Sequence, residues 1–126
     1  MVQGIEHTAI ASADTERLAQ WYVAHLGFAI NYRGSGNTIF IKTPKGSMIE
    51  IIESKAPSPG VSGMRDPGIR HLALEVEDVS AEAARLKAAG ISFLSEPETR
   101  HGTSTAFFTD CDGNILHLLH RENPLP

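Results

Sequence analysis

The chain has 126 residues, 41% hydrophobic and 21% charged, the size and make-up of one globular domain that buries a core without disulfide support. Eleven Lys and Arg against 15 Asp and Glu give a formal charge of −4, and no basic run follows a phosphate backbone, so nucleic acid is excluded as an expected partner. Cys111 is the single cysteine, the N-terminal MVQGIEHTAI lacks a signal-peptide pattern, and no apolar run has membrane-spanning length; a cytoplasmic protein without a membrane partner is expected.

In chain order the first half opens with a strand over Ile5–Ala11. An N-cap at Asp14 follows, then a helix over 15–26 with Leu18, Trp21, Tyr22 and Leu26 on one stripe, closed by Gly27. Strand-like runs follow at 28–33, 38–43 and 47–53. The second half repeats this order, with a strand over Ile69–Val76, an N-cap at Asp78 and a helix over 79–89 carrying Val79, Ala83 and Leu86. Gly90 ends that helix, and strands follow at 91–95, 104–109 and 114–120. Segments of the two halves align in the same order. GIEHTAIASAD (4–14) lies over GIRHLALEVED (68–78), and TIFIKTPKGSMIEIIE (38–53) over TAFFTDCDGNILHLLH (105–120). The Pro-, Gly- and Ser-rich stretch 54–67 reads as the linker between module 1 (4–53) and module 2 (68–120). The expected fold is α+β: two tandem βαβββ modules forming a curved eight-stranded mixed sheet around a metal site, with the helices outside.

Ionisable residues inside apolar strand runs need a reason to be there. Four stand out: His7 in IEHTAI, Glu50 in MIEIIE, His71 in IRHLAL and His117 in ILHLLH. The alignment makes His7 equivalent to His71 and Glu50 equivalent to His117, so all four occupy two duplicated positions. A pseudo-two-fold axis brings such positions together. Burying an unpaired carboxylate is costly, and a divalent cation removes that cost by accepting lone pairs from all four groups. This nitrogen and oxygen donor set suits Zn, Ni, Co, Mn or Fe. His25 and His101 read as surface residues. His120 and Glu53, three residues past the site, belong to the opposite face, and Trp21, Tyr22, Phe40, Phe107 and Phe108 read as core.

These residues give the chain a resemblance to the vicinal oxygen chelate superfamily, the glyoxalase, bleomycin-resistance and extradiol-dioxygenase group. The two βαβββ units carry it, with the strand histidine in GIEHTAI and GIRHLALEVEDV, the WYVAHLGF helix end, and FFTDCDGNILHL. This last segment is similar to the family's D-P-D-G-N segment with Cys111 in place of proline. In metal-dependent members the ligands come from the first and fourth strand of each unit, matching His7, Glu50, His71 and His117. Glyoxalase I and methylmalonyl-CoA epimerase relatives usually carry a glutamate on the eighth strand, where this chain has His117. Extradiol dioxygenase and fosfomycin-resistance relatives combine two histidines with that glutamate, whereas here the carboxylate is on the fourth strand.

The resemblance implies a metal-dependent lyase or isomerase, lactoylglutathione lyase-like. A divalent cation would chelate two vicinal oxygens of a small carbonyl substrate and stabilise an enediolate while Glu50 or His117 moves the proton. Two alternatives are an Fe(II) extradiol-type dioxygenase using His7, His71 and Glu50, and a binding or resistance protein that sequesters a small molecule without chemistry. Small two-unit members are commonly homodimers, so a homodimer is expected.

Overall fold

A computed structural model describes residues 1–56 and 63–126. The chain forms two compact units, Met1–Pro59 and Gly60–Pro126. Of the expected linker 54–67, residues 57–62 lie outside the described residues. The first unit contains β1 (His7–Ser12), α1 (Thr15–Leu26), β2 (Ala29–Arg33), β3 (Ile39–Lys42) and β4 (Met48–Glu53). The second contains β5 (Leu72–Glu75), α2 (Val79–Ala88), β6 (Glu98–Arg100), β7 (Thr103–Thr109) and β8 (Ile115–Arg121). Among the described residues, eight strands form two four-stranded mixed sheets of identical topology, β1-β4-β3-β2 and β5-β8-β7-β6. In each, the first strand pairs in parallel with the fourth and the other neighbours are antiparallel. Among the described residues no helix is long and apolar enough to cross a membrane.

Both helices start where a side chain can satisfy the first-turn amides. Asp14 and Asp78 hold extended backbone and accept hydrogen bonds from Arg17 N and Ala81 N, each at 2.9 Å. Gly27 ends α1 in the left-handed conformation (φ 71°), its N–H donating to the Tyr22 carbonyl. Leu18, Ala19 and Tyr22 of α1 bury against Ile39, Ile41, Ile49 and Ile51 of the first sheet, and Val79, Ala83 and Leu86 of α2 against Ala106, Phe108, Leu116 and Leu118 of the second. Strand alternation sends the residues between these to the far face, turned away from the helix. That face carries the site.

The third and fourth strands of each unit are joined by the same turn. Thr43 N donates to the Ser47 carbonyl at 3.0 Å and Gly46 N to the Thr43 carbonyl at 2.9 Å, while the Thr43 hydroxyl accepts from Ser47 N at 3.1 Å. In the second unit, Asp110 N donates to the Asn114 carbonyl at 3.0 Å and Gly113 N to the Asp110 carbonyl at 3.1 Å. The buried Asp110 carboxylate accepts from Asp112 N, Asn114 N and Asn114 Nδ2. Gly46 (φ 99°) and Gly113 (φ 87°) supply the backbone conformation that other residues resist. The two turns impose one register, setting Phe40 opposite Glu50 and Phe107 opposite His117.

Three strands depart from the sequence expectation by more than one residue. β1 begins at His7 and β5 at Leu72, because pairing starts at His7↔Met48 and Leu72↔Leu116; Ile5 and Ile69 precede the ladders, 90% and 79% exposed. His7 therefore opens its strand and His71 stands just before its own. The expected strand 91–95 is not formed. Phe93 makes one isolated bridge to Phe108, and the Ser95 hydroxyl, rather than a strand carbonyl, accepts from Phe107 N at 2.9 Å. Pro97 cannot donate to a ladder, and pairing resumes as β6 after it. The tight turn at His101 (φ 50°) and Gly102 (φ 74°) then folds β6 onto the start of β7.

Replacing Asp110 by Ala leaves three donors without their acceptor and is expected to cost about 2–3 kcal/mol in urea unfolding. Thr43→Ala, which removes one such bond, is expected to cost about 1 kcal/mol.

Candidate functional site

On the far face of the first sheet, His7 Nε2 lies 3.0 Å from Glu50 Oε2. The strands explain the meeting. Ala9 is paired with Glu50 and His7 with Met48, so His7 and Glu50 are diagonal neighbours across a parallel pair. The other ring nitrogen, Nδ1, is bonded to the Glu6 carboxylate. The Glu6 hydrogen bond raises the His7 pKa above the ordinary imidazole value, and Glu50 adds to the effect. Glu50 is half-buried, and Phe40, directly across the ladder from it, meets the His7 ring edge-to-face at 5.5 Å.

A bulge shapes the edge of this face. Ile30 pairs with Ile41, but Tyr32 and not Asn31 pairs with Phe40, so Asn31 is the extra residue. The bulge shifts Tyr32 onto the far face, 61% exposed and edge-to-face with Phe40 at 6.0 Å. Asn31 Nδ2 reaches Met48 Sδ at 3.4 Å on that same face. Arg33, now on the helix side, pairs with Glu16 of α1 through Nη1 at 2.6 Å and Nη2 at 3.0 Å, and this holds the Glu16 carboxyl down at about 2.

The second unit repeats the plan with different charge. His71 and His117 lie with ring centroids 4.4 Å apart, and Phe107 touches both, edge-to-face with His71 at 5.5 Å and tilted against His117 at 4.5 Å. His117 is 8% exposed, although the sequence gives no hint that it is the deepest of the four. Burial first, then the neighbouring His71 and Arg121, push its pKa down to about 4. It is therefore a neutral imidazole at neutral pH. Its Nδ1 is buried and has no hydrogen-bond partner among the described residues, an uncompensated polar atom of the kind a ligand or ion satisfies.

Each unit thus brings together two of the four expected residues, His7 with Glu50 and His71 with His117. Among the described residues, neither unit adds a third His, Cys, Asp or Glu to its pair in a metal-holding group. The donor types fit a borderline divalent cation: a carboxylate and an imidazole in the first pair, and two imidazoles, one kept neutral by burial, in the second. His120 and Glu53 stand apart from these pairs, His120 Nδ1 donating to the Val76 carbonyl at 3.2 Å and Glu53 accepting from Asn37 Nδ2 at 3.4 Å. Tyr22 and Phe108 are core, as expected. Phe40 and Phe107 are instead half-buried on the far faces. Their alternation with Ile39, Ile41, Ala106 and Phe108 was the available signal, as was their coincidence in the repeat. Glu6 was also missed, and its contrast with Arg70 at the equivalent position was the signal there.

The sequence matches the Glyoxalase/Bleomycin resistance protein/Dioxygenase superfamily over residues 4–118, and the chain belongs to that superfamily. It is 30% identical to an ethylmalonyl-CoA/methylmalonyl-CoA epimerase of Cereibacter sphaeroides, across 94% of this chain and 98% of that protein. Among solved structures, it is similar to a glyoxalase family protein from Enterococcus faecalis, with 28% identity, a TM-score of 0.74, and coverage of 94% and 98% of the two chains. A glyoxylase/bleomycin resistance protein/dioxygenase domain from Frankia sp. EAN1pec shares the fold at 23% identity, with a TM-score of 0.79 over 97% of this chain and all of the other.

The two pKa shifts act on stability in opposite senses. For His117 the unfolded state binds a proton at about 6.5 and the folded state only at about 4, so the unfolded state holds more protons in between and stability falls as pH is lowered through that window. For His7 the folded state binds its proton more tightly; that contribution is full below 6.5 and is lost as pH rises through the raised folded value. In metal-free urea titrations from about pH 7 to pH 4, His117→Gln is expected to abolish the His117 share of the acid-side loss.

Proposed function

We propose that this protein is a metal-dependent isomerase of the glyoxalase type, acting at the carbon beside a carbonyl in a small substrate that presents two vicinal oxygens. The observation that carries this reading is the His7–Glu50 pair on the far face of the first sheet, matched at repeat-equivalent positions by His71 and His117. Similarity to an ethylmalonyl-CoA/methylmalonyl-CoA epimerase supports isomerase chemistry over a lactoylglutathione lyase reaction.

His7, Glu50, His71 and His117 would hold the divalent cation, which when bound draws charge from the substrate oxygens and so acidifies the adjacent C–H bond. Glu50 is the one carboxylate of the set. It accepts the proton from carbon as general base and releases it to solvent, while a solvent-derived proton is delivered to the opposite face of the same carbon, so the configuration inverts with no net change in protonation. Glu6 on Nδ1 fixes the His7 ring, which presents Nε2 to the carboxylate. His117, with its pKa near 4, is a weak proton acceptor at neutral pH and serves as a neutral ligand.

Untagged protein purified without chelator is expected to carry about one Zn, Ni, Co or Mn per chain by mass spectrometry, lost in His71→Ala. Metal affinity should fall as the pH is lowered, because protons compete for His7, whose pKa is raised. With methylmalonyl-CoA in D2O, the wild type is expected to incorporate deuterium at the α-carbon. Glu50→Gln should keep its circular dichroism spectrum and lose at least about 100-fold in exchange rate. Undiminished exchange in that variant removes Glu50 as the base. Iron with catechol-dependent oxygen uptake establishes the dioxygenase instead, and tight ligand binding that survives metal removal establishes a binding protein.

A further inference from the structure

One aromatic arrangement occurs twice. In each unit the third-strand phenylalanine stands directly opposite the fourth-strand site residue, Phe40↔Glu50 and Phe107↔His117, and meets the site histidine of the first strand edge-to-face. The centroid separation is 5.5 Å in both units and the interplanar angles are 76° and 84°. The equivalence extends to the backbone, since the two phenylalanines coincide when the halves are aligned and each sits three residues before the residue that closes its turn, Thr43 or Asp110. Core packing does not require them here. In both strands the residues on either side, Ile39 and Ile41, and Ala106 and Phe108, form the core, while Phe40 and Phe107 remain half-buried on the opposite face.

His7 and His71 need such support. His7 opens its strand and His71 immediately precedes its own, so a ladder restrains the backbone on one side only, and both are exposed. Glu6 bonds the His7 ring, but its counterpart Arg70 turns to the carbonyls of Gly63 and Gly68, so among the described residues no carboxylate takes the matching place beside His71. Ring contact with phenylalanine is the restraint common to both histidines. A ligand ring whose orientation is set before binding loses less freedom when it binds.

We propose that Phe40 and Phe107 are positioning residues, each setting the imidazole of His7 or His71 in the orientation that the site uses. This rests on the reading of those histidines as metal ligands, and the test separates the two. In metal-free protein, the His7 and His71 ring protons are expected to show ring-current displacement by NMR. Phe40→Leu should return the His7 signals, and Phe107→Leu the His71 signals, toward their unstructured positions, whereas the ring-retaining Phe40→Tyr and Phe107→Tyr should not. Phe28→Leu, a core change beside Tyr22, should lower stability and leave both sets in place. In cobalt(II) titrations against a competing chelator, each Leu variant should bind about tenfold more weakly and each Tyr variant should restore the affinity. Histidine signals that stay in place in the Leu variants overturn the proposal, as does cobalt affinity that stays unchanged while the signals move. If the wild type takes up no cobalt, the metal reading fails, and the NMR comparison alone decides whether the phenylalanines orient the rings.

Discussion

Hydrogen-bond register across the hairpin between the third and fourth strands governs the site in each unit. Because side chains alternate along a strand, a slip of one residue would carry Glu50 or His117 to the helix side and place Ile49 or Leu116 where the site is. The Thr43–Ser47 and Asp110–Asn114 turns prevent that slip with the same three-point pattern of backbone and side-chain bonds. Asp110 does so with a buried carboxylate that accepts three bonds, Thr43 with one hydroxyl. The D-C-D-G-N segment is thus a register clamp. It fixes the opposition of Phe107 and His117.

The two copies of the module have kept geometry and exchanged charge. The first collects carboxylates around its histidine, Glu6 on one ring nitrogen and Glu50 by the other, so that its imidazole is drawn toward the cationic form. The second has Arg70 in place of Glu6 and His117 in place of Glu50, and burial drives the new imidazole toward the neutral form. On the proposed reading, the first half adds the proton-moving carboxylate Glu50 and the second adds the neutral imidazole of His117. Opposite environments acting on groups at equivalent positions push their protonation states apart.

The outer strands show where the copies part company. In the first unit a bulge at Asn31 turns Tyr32 onto the site face and sends Arg33 back to Glu16 on the helix. In the second, the equivalent edge is broken between Phe93 and Glu98, and the Ser95 hydroxyl takes over as acceptor for the Phe107 amide. An edge strand has one pairing partner, so an extra residue or a proline is tolerated there at small cost. The same change in β4 or β8 would disrupt two ladders.

Much of this was legible in the sequence because it depends on local chemistry. Asp14 and Asp78 announce the helix starts, Gly27 and Gly90 the ends, and the internal repeat gives both the βαβββ order and the equivalence of His7 with His71 and of Glu50 with His117. Alternation around Glu50 placed it on the face opposite Ile49 and Ile51, as found. The failures lie where the deciding partner is distant in sequence. The starts of β1 and β5 are set by where β4 and β8 begin, and the interruption of 91–95 by a serine that competes for an amide twelve residues on. Likewise, the bulge that turns Tyr32 has no signature in AINYR, and the depth of His117 follows from packing around β8 rather than from ILHLLH. The sequence by itself determined which residues are paired by duplication and which face of each strand they occupy, since both follow from local period and turn chemistry. Tertiary structure alone decided which imidazole is buried and neutral, which is exposed and bonded to carboxylates, and which aromatic rings meet them, because burial and ring contact depend on strands brought together from far along the chain.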